Sequence, residues 1–202
     1  MTKLWGPLGW MTLHSVSLIY PEQPSLAERQ IARRFLDLFA ETISCNQCKL
    51  HFKSMRAMYM MSNPDYLNSR QNFAVFVFRA HNSVNKRLDK PIPVTVAECL
   101  QTLRNASSQN SLAYFRNAYL SYLTRNWNRE FTGDAVIIRA SVKEMIRINN
   151  EYWSPRENGI PDLVEADVTT PIESNNMRVN ASGRVISTVV GFKGGKLKLG
   201  NR

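Results

Sequence analysis

Residues 44–52 read Ser44-Cys45-Asn46-Gln47-Cys48-Lys49-Leu50-His51-Phe52 and hold two of the three cysteines in the chain. Two thiols separated by two residues serve as half of a zinc site, as a redox disulfide, or as two buried core residues. Ser44 has N-cap chemistry, and Met55, Met58 and Tyr59 give an apolar face to a helix over about 45–61. Both thiols then sit at a helix start, where free N–H groups and the macrodipole favour a thiolate. Lys49, His51 and Lys53 add positive potential. A zinc site needs a second half. Cys99 lies far along the chain and there are only 3 histidines, so a Cys45/Cys48/Cys99/His set lacks the usual paired spacing. These features favour redox chemistry, with zinc and inert burial left open. The setting of Cys99, VAECLQTL, suits burial.

Outward from this stretch the pattern is helical. Trp10, Leu13 and Leu18 recur at helical spacing over residues 5–20, with His14 and Ser17 on the same stripe. Pro21 and Pro24 end that segment. Ser25 with Glu28 three residues on forms a capping box for a helix over 26–43, whose face is Ile31, Phe35, Leu38 and Phe39. After the turn SNPDYLNSR, a fourth helix over 70–88 aligns Phe73, Phe76, Val77, Ala80, Val84 and Leu88, and DKPIP breaks it. A short fifth helix covers 94–105, and helical patterns return at 110–128 and 139–153. Beyond Pro155 the texture is loop-like. Residues 177–200 alternate around a Ser-Gly turn as a β-hairpin would, and KGGKLKLGNR reads as a mobile tail. There is no internal repeat.

The chain has 202 residues, 44% hydrophobic and 10% aromatic, enough to bury a core. No run approaches the roughly 18 apolar residues of a membrane span. The N-terminal segment carries Pro7 and His14 and lacks a small-x-small cleavage site, so it reads as mature structure and a cytoplasmic setting is the expectation. The net charge of +10 divides evenly: 12 Lys/Arg against 7 Asp/Glu in residues 1–100, and 14 against 9 in 101–202. Diffuse basicity of this kind permits binding of nucleic acid or an anionic cofactor and identifies neither.

The fourth helix also aligns His81 and Asn85 with its apolar stripe, and the first aligns His14 with Trp10. Buried polar groups are costly without partners. A satisfied His–Asn pair in the core would account for one helix alone. Two helices that each aim a histidine inward point to a polar ligand between them, with Trp10 and Tyr20 as flat walls and Lys86 and Arg87 placed to hold phosphates. An aromatic, phosphate-bearing cofactor fits. A metal fits less well, because the stripes carry no carboxylates.

Four motifs then occur in order: WGPLGWMTLH, the pair Tyr20-Pro21, CNQCKLHF, and HNSVNKRL followed by DKP. Together they closely resemble the Erv/ALR family of FAD-dependent sulfhydryl oxidases over about residues 5–91, and the plain domain, the lack of a signal-peptide pattern and the unfamiliar tail suggest a large-DNA-virus member. The resemblance implies an all-α fold, a four-helix bundle plus a short fifth helix holding FAD, within an oxidase domain over residues 1–108. Residues 109–202 would form a mostly helical C-terminal extension, with the small β-hairpin. Carried over, Gly6, Trp10, His14 and Tyr20 from the first helix, and His81, Asn82, Val84, Asn85, Lys86 and Arg87 from the fourth, would contact FAD. Cys45 would exchange with incoming thiols. Cys48 would lie beside the flavin as a thiolate in charge-transfer contact with it, electrons would pass to O2, and H2O2 would leave. No metal is implied. The partners implied are a thiol-containing protein or a partner thiol oxidoreductase, O2, and a second copy in a homodimer built through the first two helices. Nucleic acid is not expected. A viral member would act in the host cytoplasm or the virion.

The chain departs from the family pattern in three places. Phe78 stands where many members carry the first cysteine of a structural disulfide, which leaves Cys99 as a buried thiol or an intermolecular link, with burial the preferred reading. Three cysteines leave no second pair to serve as a shuttle to substrate. The late tryptophan near the adenine has only Tyr114, Trp127 and Trp153 as candidates. The extension reads as an accessory element packed on the bundle, with a docking module as the other reading. Two non-enzymatic alternatives are a zinc-stabilised helical nucleic-acid-binding module and a scaffold that keeps the oxidase fold without its activity.

Overall fold

In the computed structural model, residues 2–93, 95–109, 111–130, 132–156, 171–172, 178–179 and 185–187 are described. Among them, seven α-helices follow in order: α1 Thr2–Leu18, α2 Leu26–Thr42, α3 Asn46–Ser62, α4 Arg70–Arg87, α5 Val96–Gln109, α6 Leu112–Asn128 and α7 Gly133–Ile148. The all-α reading is right. A single π-turn, Asn149–Trp153, extends α7 and runs into a 3₁₀ turn, Ser154–Arg156. None of the described helices is long and apolar enough to cross a membrane.

The capping chemistry holds at α2. Glu28 N–H donates to Ser25 Oγ at 3.3 Å, and Ser25 N–H donates back to Glu28 Oε2 at 2.8 Å. At α3 the cap is Cys45, not Ser44. Cys45 is in extended backbone, and its sulfur accepts the Cys48 N–H at 3.3 Å. A side-chain acceptor one residue later satisfies the first free donor as well as serine would, and Ser44 is left exposed. The last helix begins at Gly133 rather than near 139, because Ala135 and Ile138 already bury against the core. The final turn of α4 leaves the core: Val84 is half-buried and Leu88 exposed.

Helix α1 packs most extensively against α6 and then α4, while α2 packs against α7. One apolar cluster runs through these contacts, from Leu13, Val16, Phe35 and Phe39 to Tyr119, Leu123, Met145 and Trp153. Residues of the C-terminal extension therefore share a core with α1 and α2. Gly9 makes this approach close: a Cβ there would stand 3.3 Å from the Phe39 ring and 3.5 Å from that of Tyr119. A buried polar link crosses the same contact. Arg116 on α6 donates from Nη1 to Ser15 Oγ at 2.5 Å and from Nε to Asn149 Oδ1 at 3.1 Å. A smaller cluster joins Leu18, Ala74 and Phe78 to Val96, Cys99, Leu100 and Leu103, which seats α5 and encloses the Cys99 thiol.

Ile172 N–H donates to Ser83 Oγ at 2.6 Å and so ties a later segment to α4. Two short strands, β1 Arg178–Val179 and β2 Val185–Ser187, pair antiparallel around the Ser-Gly position, as the alternation there suggests. The remainder of the expected hairpin, the loop-like run over 157–170 and the expected tail over 193–202 lie outside the described residues.

Candidate active site

Cys45 and Cys48 form a disulfide across the first turn of α3, with Cα atoms 5.2 Å apart. Sulfurs bonded to each other do not ligate zinc, and among the described residues no group of three or more His, Cys, Asp or Glu could hold a metal. On reduction, the Cys48 N–H that already points at Cys45 Sγ would stabilise a thiolate there, together with the helix dipole. Cys99 behaves oppositely: burial, then the charge of Glu98, pushes its thiol up to about 11.

The two sulfur-bearing residues open on different clefts. Cys48 lines a cleft of about 480 Å³ between the start of α1, the end of α4 and one face of α3. Cys45 lines a second cleft, of about 720 Å³, on the side of α6 and α7. Trp5 borders both.

The Cys48 cleft is aromatic and largely apolar. Trp10 and His81 stack in it with ring centroids 4.5 Å apart and planes 7° from parallel. Behind them His14 Nε2 lies 3.0 Å from His81 Nδ1. Burial lowers both histidines, with the His81 charge as a second cause for His14 and the Lys90 charge for His81, which falls to about 4. Both rings are therefore neutral at pH 7, and one donates to the other. Nδ1 of His14 is buried without a hydrogen-bond partner. Arg87 and Lys90 line the same cleft at its α4 end.

Of the residues expected around the cofactor, Gly6, Trp10, His81, Val84, Asn85 and Arg87 line this cleft. His14 touches it through His81. Three others lie elsewhere. Tyr20 is buried against Phe73, donates its hydroxyl to Leu67 O at 3.1 Å, and has its ionisation pushed up by burial. Asn82 is buried and donates to Pro93 O at 3.4 Å. Lys86 is exposed outside the lining. On α4, helical periodicity accounts for Asn82 and Lys86, which lie roughly a third of a turn or more from the direction shared by 81, 84, 85 and 88. The late aromatics also stand apart from this cleft. Trp153 is fully buried in the core, Tyr114 is exposed, and Trp127 lines the Cys45 side, donating Nε1–H to Thr42 O at 3.1 Å. Sequence reasoning missed Trp5, Phe39, Ile43, His51, Phe52 and Lys90 as cleft residues. Trp5 and His51 stand inside two of the quoted motifs and were legible there. Phe39 and Ile43 read as ordinary core.

These residues fit a large, flat, anionic group. The walls are aromatic, two cations stand at one end, and a buried imidazole nitrogen is unpartnered. A Cβ placed on Gly6 would meet nothing within 4 Å beyond its chain neighbours and its own helix backbone, so the wall is open where it lines the cleft.

The sequence profile of the Erv1 / Alr family matches residues 8–111. An FAD-linked sulfhydryl oxidase of African swine fever virus (isolate Tick/Malawi/Lil 20-1/1983) is 36% identical over 88 residues, covering 44% of this chain and 71% of its own length. The mitochondrial FAD-linked sulfhydryl oxidase ERV1 of Saccharomyces cerevisiae is 35% identical over 86 residues, 43% of each chain. A putative FAD-linked sulfhydryl oxidase of invertebrate iridescent virus 3 is 36% identical over 92 residues, 44% of this chain and 59% of its own length.

Proposed function

The chain belongs to the Erv1 / Alr family, and from that premise we propose that it is an FAD-linked thiol oxidase which makes disulfides in protein substrates. The observation that carries this reading is the position of Cys48. Cys48 lines the Trp10/His81 cleft, and its disulfide partner Cys45 lines a separate opening.

The residues divide the work. A substrate thiolate attacks Cys45 Sγ, the intrachain disulfide breaks, and Cys48 leaves as a thiolate within the aromatic cleft. A second substrate thiolate displaces Cys45, which releases the oxidised substrate and leaves a dithiol at Cys45 and Cys48. Trp10, His81, Gly6, Val84 and Asn85 line the same cleft as Cys48 and would hold the flavin there. Arg87 and Lys90 take the phosphate charges, a role assigned to Arg87 and Lys86 from sequence. The neutral His14–His81 pair keeps the cleft floor uncharged and fixes the His81 ring by a hydrogen bond. Bound FAD supplies a two-electron acceptor that regenerates the disulfide and delivers the electrons to O2 as H2O2.

Helices α6 and α7 lie along α1 and α2, the helices through which pairing with a second copy was expected. We therefore read the oxidase as complete in one chain, with its own extension supplying the packing that a partner copy would supply. The proposed setting is viral, in the host cytoplasm or the virion, and two of the relatives above are viral proteins.

The purified protein should be yellow and consume oxygen with dithiothreitol, and Cys48→Ala and Cys45→Ala should each abolish that consumption. A colourless preparation that binds no added FAD would refute the reading.

A further inference from the structure

The Cys45 cleft lies apart from the Trp10/His81 cleft, and one of its walls is built by the part of the chain outside the family match. Its far wall comes from the end of α6 and the start of α7, through Trp127, Glu130, Asp134 and Ile137. This wall is fastened in place. Trp127 donates Nε1–H to Thr42 O at 3.1 Å, and Arg139 Nη1 donates to the backbone oxygens of Trp127 and Glu130 at 3.1 and 2.8 Å. Ile137 is 69% exposed, a large apolar side chain left uncovered at the rim.

The charge of the cleft runs against that of the molecule. On a chain of net charge +10, this opening carries Glu41, Glu130 and Asp134 against Lys49. Lys53 already neutralises Glu41 at 2.5 Å, and Lys49 stands 4.0 Å from the same carboxylate. Glu130 and Asp134 make no ion pair among the described residues. The rim nearest Cys45 on the extension side is therefore acidic and apolar, opposite in sign to the net charge of the chain, and suits a basic peptide.

We propose that this cleft is the substrate-docking site, and that its occupant is an extended protein segment whose cysteine is flanked by lysine or arginine and an apolar side chain. The inference rests on the oxidase reading for its purpose and answers the question of what reduces Cys45 in a chain with no second cysteine pair. The apolar side chain lies on Trp127 and Ile137. The basic flanks pair with Glu130 and Asp134. The substrate thiolate then reaches Cys45 Sγ, a sulfur–sulfur bond forms between them, the Cys45–Cys48 bond breaks, and Cys48 takes the electron pair. The second substrate thiolate closes the substrate disulfide and leaves both electrons on the Cys45/Cys48 dithiol. The protons of the two substrate thiols pass to solvent or to these sulfurs. In this arrangement the extension selects substrate, and the family portion performs the redox chemistry.

The test reads the first step without the flavin. Full-length protein is mixed anaerobically with a dithiol peptide flanked by lysines or with the same peptide flanked by glutamates. Reduction of the Cys45–Cys48 disulfide is followed by alkylation and mass spectrometry. The lysine peptide should react about tenfold faster, and the advantage should shrink in high salt, as screened exposed charges require. In Glu130→Lys/Asp134→Lys, each rate divided by the same protein's rate with dithiothreitol, the preference should vanish or reverse. Equal rates for the two peptides in the parent protein, or a preference left intact by the charge reversal, would overturn the proposal. Oxygen consumption with dithiothreitol is measured separately, so a parent protein that keeps that activity but shows no peptide preference rejects the docking site and leaves the oxidase standing.

Discussion

His14 Nε2 lies 3.0 Å from His81 Nδ1, which joins α1 to α4 by a hydrogen bond between two neutral imidazoles beneath the Trp10 stack. Protonating either ring places a charge in a buried, apolar setting, and protonating both would also cost this bond.

A pH dependence of stability follows, and its sign is fixed. Both histidines have folded-state values below the ordinary 6.5, His81 at about 4. Between about pH 6.5 and pH 4 the unfolded chain binds more protons than the folded one, so stability falls as pH falls through this window. The His81 share is on the order of 3 kcal/mol at most, from a shift of about 1.4 kcal/mol per unit. Urea midpoints measured across the window should drop, and His81→Phe should make the drop shallower. A profile identical in the parent and the variant would contradict the pairing.

The opening at Gly6 predicts a separation of binding from folding. Gly6→Leu should keep the helical circular dichroism, because nothing beyond its chain neighbours and its own helix backbone lies within 4 Å of the new Cβ. It should lower flavin occupancy by about tenfold, equivalent to about 1.4 kcal/mol of binding. Bound flavin per protein after dialysis is the readout, and an unchanged ratio would place the cofactor elsewhere.

Gly9 should behave differently, although it stands only three residues along α1. A Cβ at 3.3 Å from Phe39 and 3.5 Å from Tyr119 forces two aromatic rings to move. Gly9→Val should cost about 1–3 kcal/mol, the usual range for overpacking. Thermal or urea unfolding measures it, and a neutral result would mean that the α1–α6 approach is looser than described.

Removing the extension after residue 110 should uncover the faces of α1 and α2 that meet α6 and α7. Leu13, Val16 and Phe39 would lose their partners in the shared cluster. Sedimentation should show the full chain as a monomer and the shortened chain as a dimer or larger species, because apolar patches of this size find other surfaces. A monomeric, stable shortened chain would show that the extension is dispensable for the fold.

Much of this was legible in the sequence, for reasons that are local. The capping box at Ser25, the breaks at Pro21 and Pro24, and the apolar stripe of α4 depend on residues three or four apart. The placement of Cys45 and Cys48 at a helix start is also local, and it favours a reactive pair. The cap itself was misplaced by one residue, because serine and a cysteine sulfur compete for the same N–H. The ordered motifs from Trp5 to Leu88 were enough to identify the family. The inward histidines were visible as an anomaly of polarity on an apolar face, although periodicity alone could not say that Tyr20 and Lys86 stand outside the cleft while Trp5 and His51 line it.

What the sequence determined by itself is therefore the set of helices, the redox pair, and the cofactor class that the motifs imply. Tertiary structure alone decided that α6 and α7 lie on α1 and α2. It also decided that Arg116 reaches Ser15 and Asn149, and that the two cysteines of one helical turn serve two different clefts. These outcomes depend on which apolar faces meet across separations of a hundred residues, as in the Arg116–Ser15 bond between residues 101 apart. Local spacing records how a face is formed and carries no information about the face it will cover. That choice is made when burial of the whole apolar surface is satisfied at once.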